Sequence, residues 1–155
     1  MNKLAILLAT WFGVGLLPKA PGTWGSISAV PCAYLLMFLN GHRALVIAIF
    51  IFIVIGIWAS NCAAKEFGEP DHSRIVIDEV VGQWITFLFV PLDLSLYVAG
   101  LILFRLFDIF KPWPINLVDK RIKNGIGVML DDIIAGIYSG TFLWVGHNLI
   151  VSINT

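Results

Sequence analysis

Carboxylates interrupt the apolar runs of this chain at three places, and this constrains the fold more than any other feature. Asp78-Glu79, Asp108 and Asp131-Asp132 each stand at the edge of a long apolar stretch, with Arg105 and Lys111 flanking the middle one. A charge near lipid costs several kcal/mol unless it is paired, hydrated or bound to a metal. The chain must therefore bring these groups to each other, to water or to a cation.

At 155 residues, 59% hydrophobic and 13% charged, the sequence fits a single membrane domain over 1–155 rather than a soluble one. Ten Lys and Arg balance ten Asp and Glu, so no global charge points to nucleic acid. Cys32 and Cys62 lie in apolar segments with no histidine nearby, and they read as small core hydrophobes rather than a disulfide or zinc ligands. Lys3 and the apolar stretch Leu4 to Leu17 resemble a secretory leader. The glycines at 13 and 15 and the run Pro18-Lys19-Ala20-Pro21, without a small-x-small site, favour a retained, embedded segment.

Two apolar spans follow, Ser26 to Asn40 and Ala44 to Ala63, separated by the turn Asn40-Gly41-His42-Arg43. A polar loop runs from Lys65 to Arg74. Val80 to Phe104 is long enough for one tilted crossing, but Pro91-Leu92-Asp93 in its middle suggests a hairpin of two half-length pieces. Ile133 to Val151 makes the last span. If the third stretch returns to its starting side, Lys3, Lys19, Lys65, Arg74, Arg105, Lys111, Lys120, Arg121 and Lys123 share one face and leave only Arg43 opposite. The positive-inside rule favours that arrangement and makes the face cytoplasmic. Half-length helices do not cross a ~30 Å core, so short or re-entrant pieces are expected inside the helix cluster. Trp24, Trp84 and Trp113 are expected near the interfaces.

The charged blocks carry the chemistry. On a helix, Arg105, Asp108 and Lys111 fall near one face, and Pro112 ends the element at Lys111. This is either a solvated helix end or a carboxylate held between two cations. One of Asp131 and Asp132 can cap a helix, but a cap leaves the second unexplained. Asp78-Glu79 repeats the pattern, and Gly82 and Gly136, each four residues after an aspartate, would let helices approach closely. Together, Asp78, Glu79, Asp108, Asp131 and Asp132 offer enough oxygen ligands for Mg2+. Gly13 to Ser26 is a Gly- and Pro-rich segment ahead of a helix. It is either a connector or a phosphate cradle using Lys19, Thr23 and Ser26, and its spacing is not that of a nucleotide P-loop.

Several phosphatase chemistries are excluded. Six residues after Cys32 and Cys62 stand Phe38 and Gly68, not the arginine of a cysteine phosphatase. His42, His72 and His147 are scattered, and no Asp-x-Asp motif of the haloacid-dehalogenase type occurs. Attack on phosphorus by water or by a carboxylate, assisted by a metal, remains.

Four blocks, Pro18 to Ser26, Asp78-Glu79-Val80-Val81-Gly82, Phe104 to Pro114 and Gly127 to Gly136, together resemble bacterial phosphatidylglycerophosphatase A and cover nearly the whole chain in family order. The resemblance implies an all-α, compact multihelical integral membrane protein. It also implies a Mg2+-dependent enzyme that releases the terminal phosphate of phosphatidylglycerophosphate in phospholipid synthesis. The bacterial inner membrane, crossed several times with the site on the cytoplasmic face, is the expected location.

In the mechanism expected here, Asp78, Asp108, Asp131 and Asp132 hold one or two ions, with Glu79 a further ligand or the base. Arg105 and Lys111 neutralise the phosphoryl oxygens, and Lys19, Thr23 and the backbone near Gly22 clamp the monoester, with Ser26 close by. Metal number, covalent or direct hydrolysis, oligomeric state and the range of lipid phosphates stay open. A small cation transporter or channel using embedded carboxylates is the alternative, and it would place acids deep in spans with access from both faces. An assembly subunit would leave the acidic pairs without purpose.

Overall fold

The computed structural model describes residues 2–153, and these form six α-helices with no strand among them. Helix α1 (Lys3–Ala9) is short, and a single 3-10 turn (Val14–Leu16) follows it. Trp11, Phe12 and Gly13 take positive φ between them and fold the chain back. The N-terminal apolar stretch is thus embedded and bent rather than spanning, and Trp11 is inserted against Phe52 and Trp84.

Helix α2 (Pro21–Phe67) starts with proline at its first position, where the missing N–H is no loss, and ends on Gly68 in the left-handed region. It is broken at Gly41, whose φ of 66° and ψ of −164° are not helical, so it is two antiparallel limbs, 21–40 and 42–67. This is the turn expected between the first two spans.

Helix α3 (Ile77–Phe87) is buried along nearly its whole length, walled by α2 and by α6 (Gly125–Ile153), and Gly82 and Gly136 mark the crossing. A Cβ at Gly136 would overlap the Gly82 carbonyl oxygen, so these backbones meet at a distance no larger residue allows. After α3 the chain turns through 88–93, and Asp93 caps helix α4 (Leu94–Phe110) by accepting the Leu96 N–H at 3.0 Å. The hairpin is therefore real, with a central limb of 11 residues and an outer limb of 17. Helix α5 (Ile115–Arg121) packs against α6, with Ile115 buried beside Ala135.

Two sequence expectations are corrected. Helix α6 begins at Gly125, eight residues before the expected start of the apolar span, so neither Asp131 nor Asp132 caps it. Asn124 accepts from the Ile126 and Gly127 amides, and Asn61 of α2 accepts from Gly125 at 2.8 Å. Trp84 is buried rather than interfacial, and its indole N–H donates to Ala29 O at 3.0 Å. Trp24 and Trp113 are exposed.

The outward faces of the helices are apolar, with Phe38, Phe50, Val54, Ile102 and Phe142 all more than half exposed. Water does not tolerate so continuous an apolar surface on a monomer, whereas hydrocarbon does. Pro21–Phe67 and Gly125–Ile153 are also long and apolar enough to cross a bilayer. The molecule is a membrane protein with most of its charged residues at the helix ends and loops of one rim, and with Arg43 and Asp93 at the turns away from it.

Candidate metal and phosphate site

Three of the predicted carboxylates converge. Asp78 and Glu79 occupy the first turn of α3, and Asp132 lies in the second turn of α6, one helical turn before Gly136. The Gly82–Gly136 contact is what brings these two turns together, because each acidic residue precedes its glycine by three or four positions on the same helix face. One oxygen from each of Asp78, Glu79 and Asp132 lies within 4.8 Å of the others.

Asp78 Oδ1 and Glu79 Oε2 are shielded from solvent and accept no hydrogen bond. Three such carboxylates repel one another unless protons or a cation intervene, and two buried oxygens without a donor fit a cation between them. The group can hold a metal ion, and its all-oxygen donor set suits a hard cation over a soft one.

The other two predicted carboxylates are engaged by cations. Asp108 Oδ2 forms an ion pair with Arg105 Nη1 at 2.6 Å, i,i+3 on α4, and the same nitrogen lies 3.8 Å from Glu79 Oε1. Arg105 thereby bridges the α4 charge to the carboxylate cluster. Asp131 accepts from Lys111 Nζ at 2.7 Å, and that ammonium also reaches Asp119 of α5 at 2.9 Å.

Lys111 sits just past α4 in the left-handed conformation, where Pro112 ends the helix, and its side chain turns to α5 and α6 rather than along the face of Arg105 and Asp108. Burial alone would lower its pKa, but the hydrogen bonds and charges of Asp131 and Asp119 outweigh that and hold it above its ordinary range. Burial alone would raise the Asp119 pKa; Lys111 outweighs it, and the carboxyl stays below its usual range.

Among the residues expected to clamp phosphate, Gly22 reaches the cluster. A Cβ there would overlap Glu79 Oε1 and stand 3.2 Å from Arg105 Nη1, so the bare backbone at the start of α2 forms one wall of the site. Its N–H belongs to the set that a helix N-terminus leaves without an intrahelical acceptor. Thr23 is half-buried beside it, and Lys19 is exposed just before the helix. Ser26 is fully buried and donates to Gly22 O at 3.0 Å, so its hydroxyl is spent within the helix.

Asp119, Asp71 and Asn61 did not stand out in the sequence. Asp71 and Asp119 line a shallow depression with Lys123 and Asp131, and Asn61 ties the start of α6 to α2. Only Asp119 carried a signal, a local alternation with Lys120 and Lys123 that reads equally well as a solvated turn.

The model of the family described as phosphatidylglycerophosphatase A matches residues 7–147. The chain is 42% identical over 144 residues to the phosphatidylglycerophosphatase A of Escherichia coli K12, covering 92% of this chain and 83% of that one. It is 39% identical over 134 residues to the protein of the same name from Haemophilus influenzae, covering 86% of this chain and 82% of that one. A Bacteroides thetaiotaomicron protein, 42% identical over 143 residues (88% and 89%), carries the provisional name of a phosphatidylinositol-3-phosphatase. No solved structure matches the chain. The family match over residues 7–147 and the two relatives place it: the chain belongs to the phosphatidylglycerophosphatase A family, phosphatases that act on a phosphate monoester.

Proposed function

We propose that this single-domain protein hydrolyses phosphatidylglycerophosphate to phosphatidylglycerol and phosphate, with Mg2+ as cofactor, at the cytoplasmic face of the bacterial inner membrane. The observation that carries the reading is the meeting of three buried carboxylates, an arginine and a bare glycine backbone at one helix rim. Two relatives named for this substrate lend support.

Asp78, Glu79 and Asp132 are the residues that would hold the ion, with Asp108 and Asp131 beside them, each tied to a cation. When bound, magnesium supplies Lewis acidity, which neutralises phosphate charge and lowers the pKa of water. Arg105 presents donors to the phosphoryl oxygens, and Asp108 fixes its orientation. The Gly22 N–H, the Thr23 hydroxyl and the Lys19 ammonium bind the remaining oxygens at the positive end of α2.

Water attacks phosphorus and gives its proton to Glu79. The bond from phosphorus to the glycerol oxygen breaks, the departing oxygen takes a proton from solvent water, and Glu79 returns to solvent the proton it accepted. Lys111 acts at one remove by holding Asp131 in place through their 2.7 Å hydrogen bond. The basic residues at the helix ends of this rim, with Arg43 at the opposite turn, support the cytoplasmic orientation and a multi-pass path.

Purified protein in detergent is expected to release phosphate from phosphatidylglycerophosphate with Mg2+, to stop with chelator and to recover on adding metal back. Asp132→Asn should abolish release while leaving the protein folded. Release that persists in chelator would sink the magnesium reading, and no release at all would sink the substrate.

A further inference from the structure

An apolar groove of about 610 Å³ opens on the lipid-facing side between the first limb of α2 and α4, lined by Val30, Pro31, Tyr34, Leu35, Phe38 and Leu94. Tyr34 of this lining packs edge-on against the buried Tyr97 ring of α4, at 5.9 Å between centroids. The two helices that form it are the two that carry Gly22 and Arg105 to the site, and they run antiparallel from one place to the other.

The helical repeat sets the direction of the groove. On α2, Thr23, Ile27, Tyr34 and Phe38 fall on one face, and on α4, Arg105, Leu101, Val98 and Leu94 do the same. Each stripe begins with a residue of the proposed phosphate clamp and ends in the groove. From Thr23 to Phe38 is fifteen residues, about 22 Å along the helix. A ligand that lies along both stripes therefore has a charged head at the rim and a long apolar body below it, with polar groups confined to one end of an apolar site.

We infer that this groove takes an acyl chain of the substrate lipid and holds it in line with the phosphate site. The inference rests on the lipid-phosphatase reading above. It accounts for the alignment of groove and phosphate clamp along two shared helix faces, which a general coat of bilayer lipid does not require.

The test uses the full chain in nanodiscs and a long-chain lipid phosphomonoester carrying a photoreactive diazirine at mid-chain, with labelled peptides located by mass spectrometry. Labelling is expected to concentrate on residues 30–38 and 94–98 and to be competed by an unlabelled lipid phosphomonoester but not by phosphatidylcholine. Leu94→Trp, at a position 66% exposed, should fill the groove and reduce that labelling about tenfold. Leu35→Trp serves as a second filling variant if the first does not fold, and Phe142→Trp on α6 should change nothing.

Even labelling of all lipid-facing helices, labelling competed equally by both lipids, or labelling untouched by the filling variants would overturn the inference. Labelling reports binding without turnover, so the two readings fail separately. Groove labelling without phosphate release would sink the hydrolytic reading alone, and release without groove labelling would sink this one alone.

Discussion

Replacing Gly82 with alanine tests whether the helix crossing holds the carboxylates together. The new Cβ would stand 2.6 Å from the carbonyl oxygen of Asp132 and 2.6 Å from Phe104 Cε2, about 0.8 Å short of the 3.4 Å at which ordinary contact begins. Neither neighbour has room to yield, since one is helix backbone and Phe104 is fully buried. Overpacking of this kind costs about 1–3 kcal/mol. Because the obstruction is backbone, the upper end applies, and the ~1 kcal/mol that alanine gains over glycine in a helix leaves a net loss of about 2 kcal/mol.

The larger effect falls on activity. The displaced group is the backbone of Asp132 itself, so α3 and α6 part at the point where Asp78, Glu79 and Asp132 meet. A misplacement approaching 1 Å costs on the order of 10²-fold in rate. Phosphate release and thermal unfolding in the same detergent would be measured side by side, well below the midpoint so that the folded population stays full. Gly146→Ala, where nothing lies within 4 Å, is the matched control and should behave as wild type. A Gly82→Ala protein with a rate within threefold of wild type would refute the reasoning about the crossing.

Other substitutions separate packing from chemistry. Gly22→Ala pushes against the mobile end of Glu79 rather than against backbone, so stability should change by less than ~0.5 kcal/mol while phosphate release falls at least about tenfold; equal losses of both would count against the role given to Gly22. Lys111→Met leaves the buried Asp131 without its counter-charge and should destabilise by about 3–5 kcal/mol in denaturant unfolding. If Lys111 instead served the phosphate directly, KM would rise with stability unchanged. Trp84→Phe removes the bond to Ala29 O and should cost about 1 kcal/mol with activity retained, whereas an interfacial anchor would show no loss.

The parts of the fold legible in the sequence are those set by backbone chemistry. Gly41 between two apolar runs, Pro91-Leu92-Asp93 inside a third and Pro112 after Lys111 each break a helix for local reasons, and each break is present. Gly82 and Gly136 were readable as points of close approach because a glycine on a helix has no side chain to hold a neighbouring helix off.

What stayed hidden depends on tertiary neighbours. Gly125 and Gly127 look like loop glycines, yet Gly125 fits beneath Ile57 O and Asn61, and Gly127 fits against Ile122 O. Their helix starts earlier than the apolar pattern does. The pairing of Lys111 with Asp131, twenty residues away, and of Gly125 with Asn61, sixty-four away, follows no local period. The division of the five acids into a cluster of three and two cation-bound members is decided by the same long-range contacts.

The break at Gly41 has a practical side. Its φ is positive, nothing lies within 4 Å of where a side chain would begin, and it joins the two limbs of α2 at the rim away from the carboxylates. Extra residues spliced in there would meet no neighbour, so a fluorophore or affinity handle placed at that corner should report on the folded, working protein from the end of the molecule opposite the site.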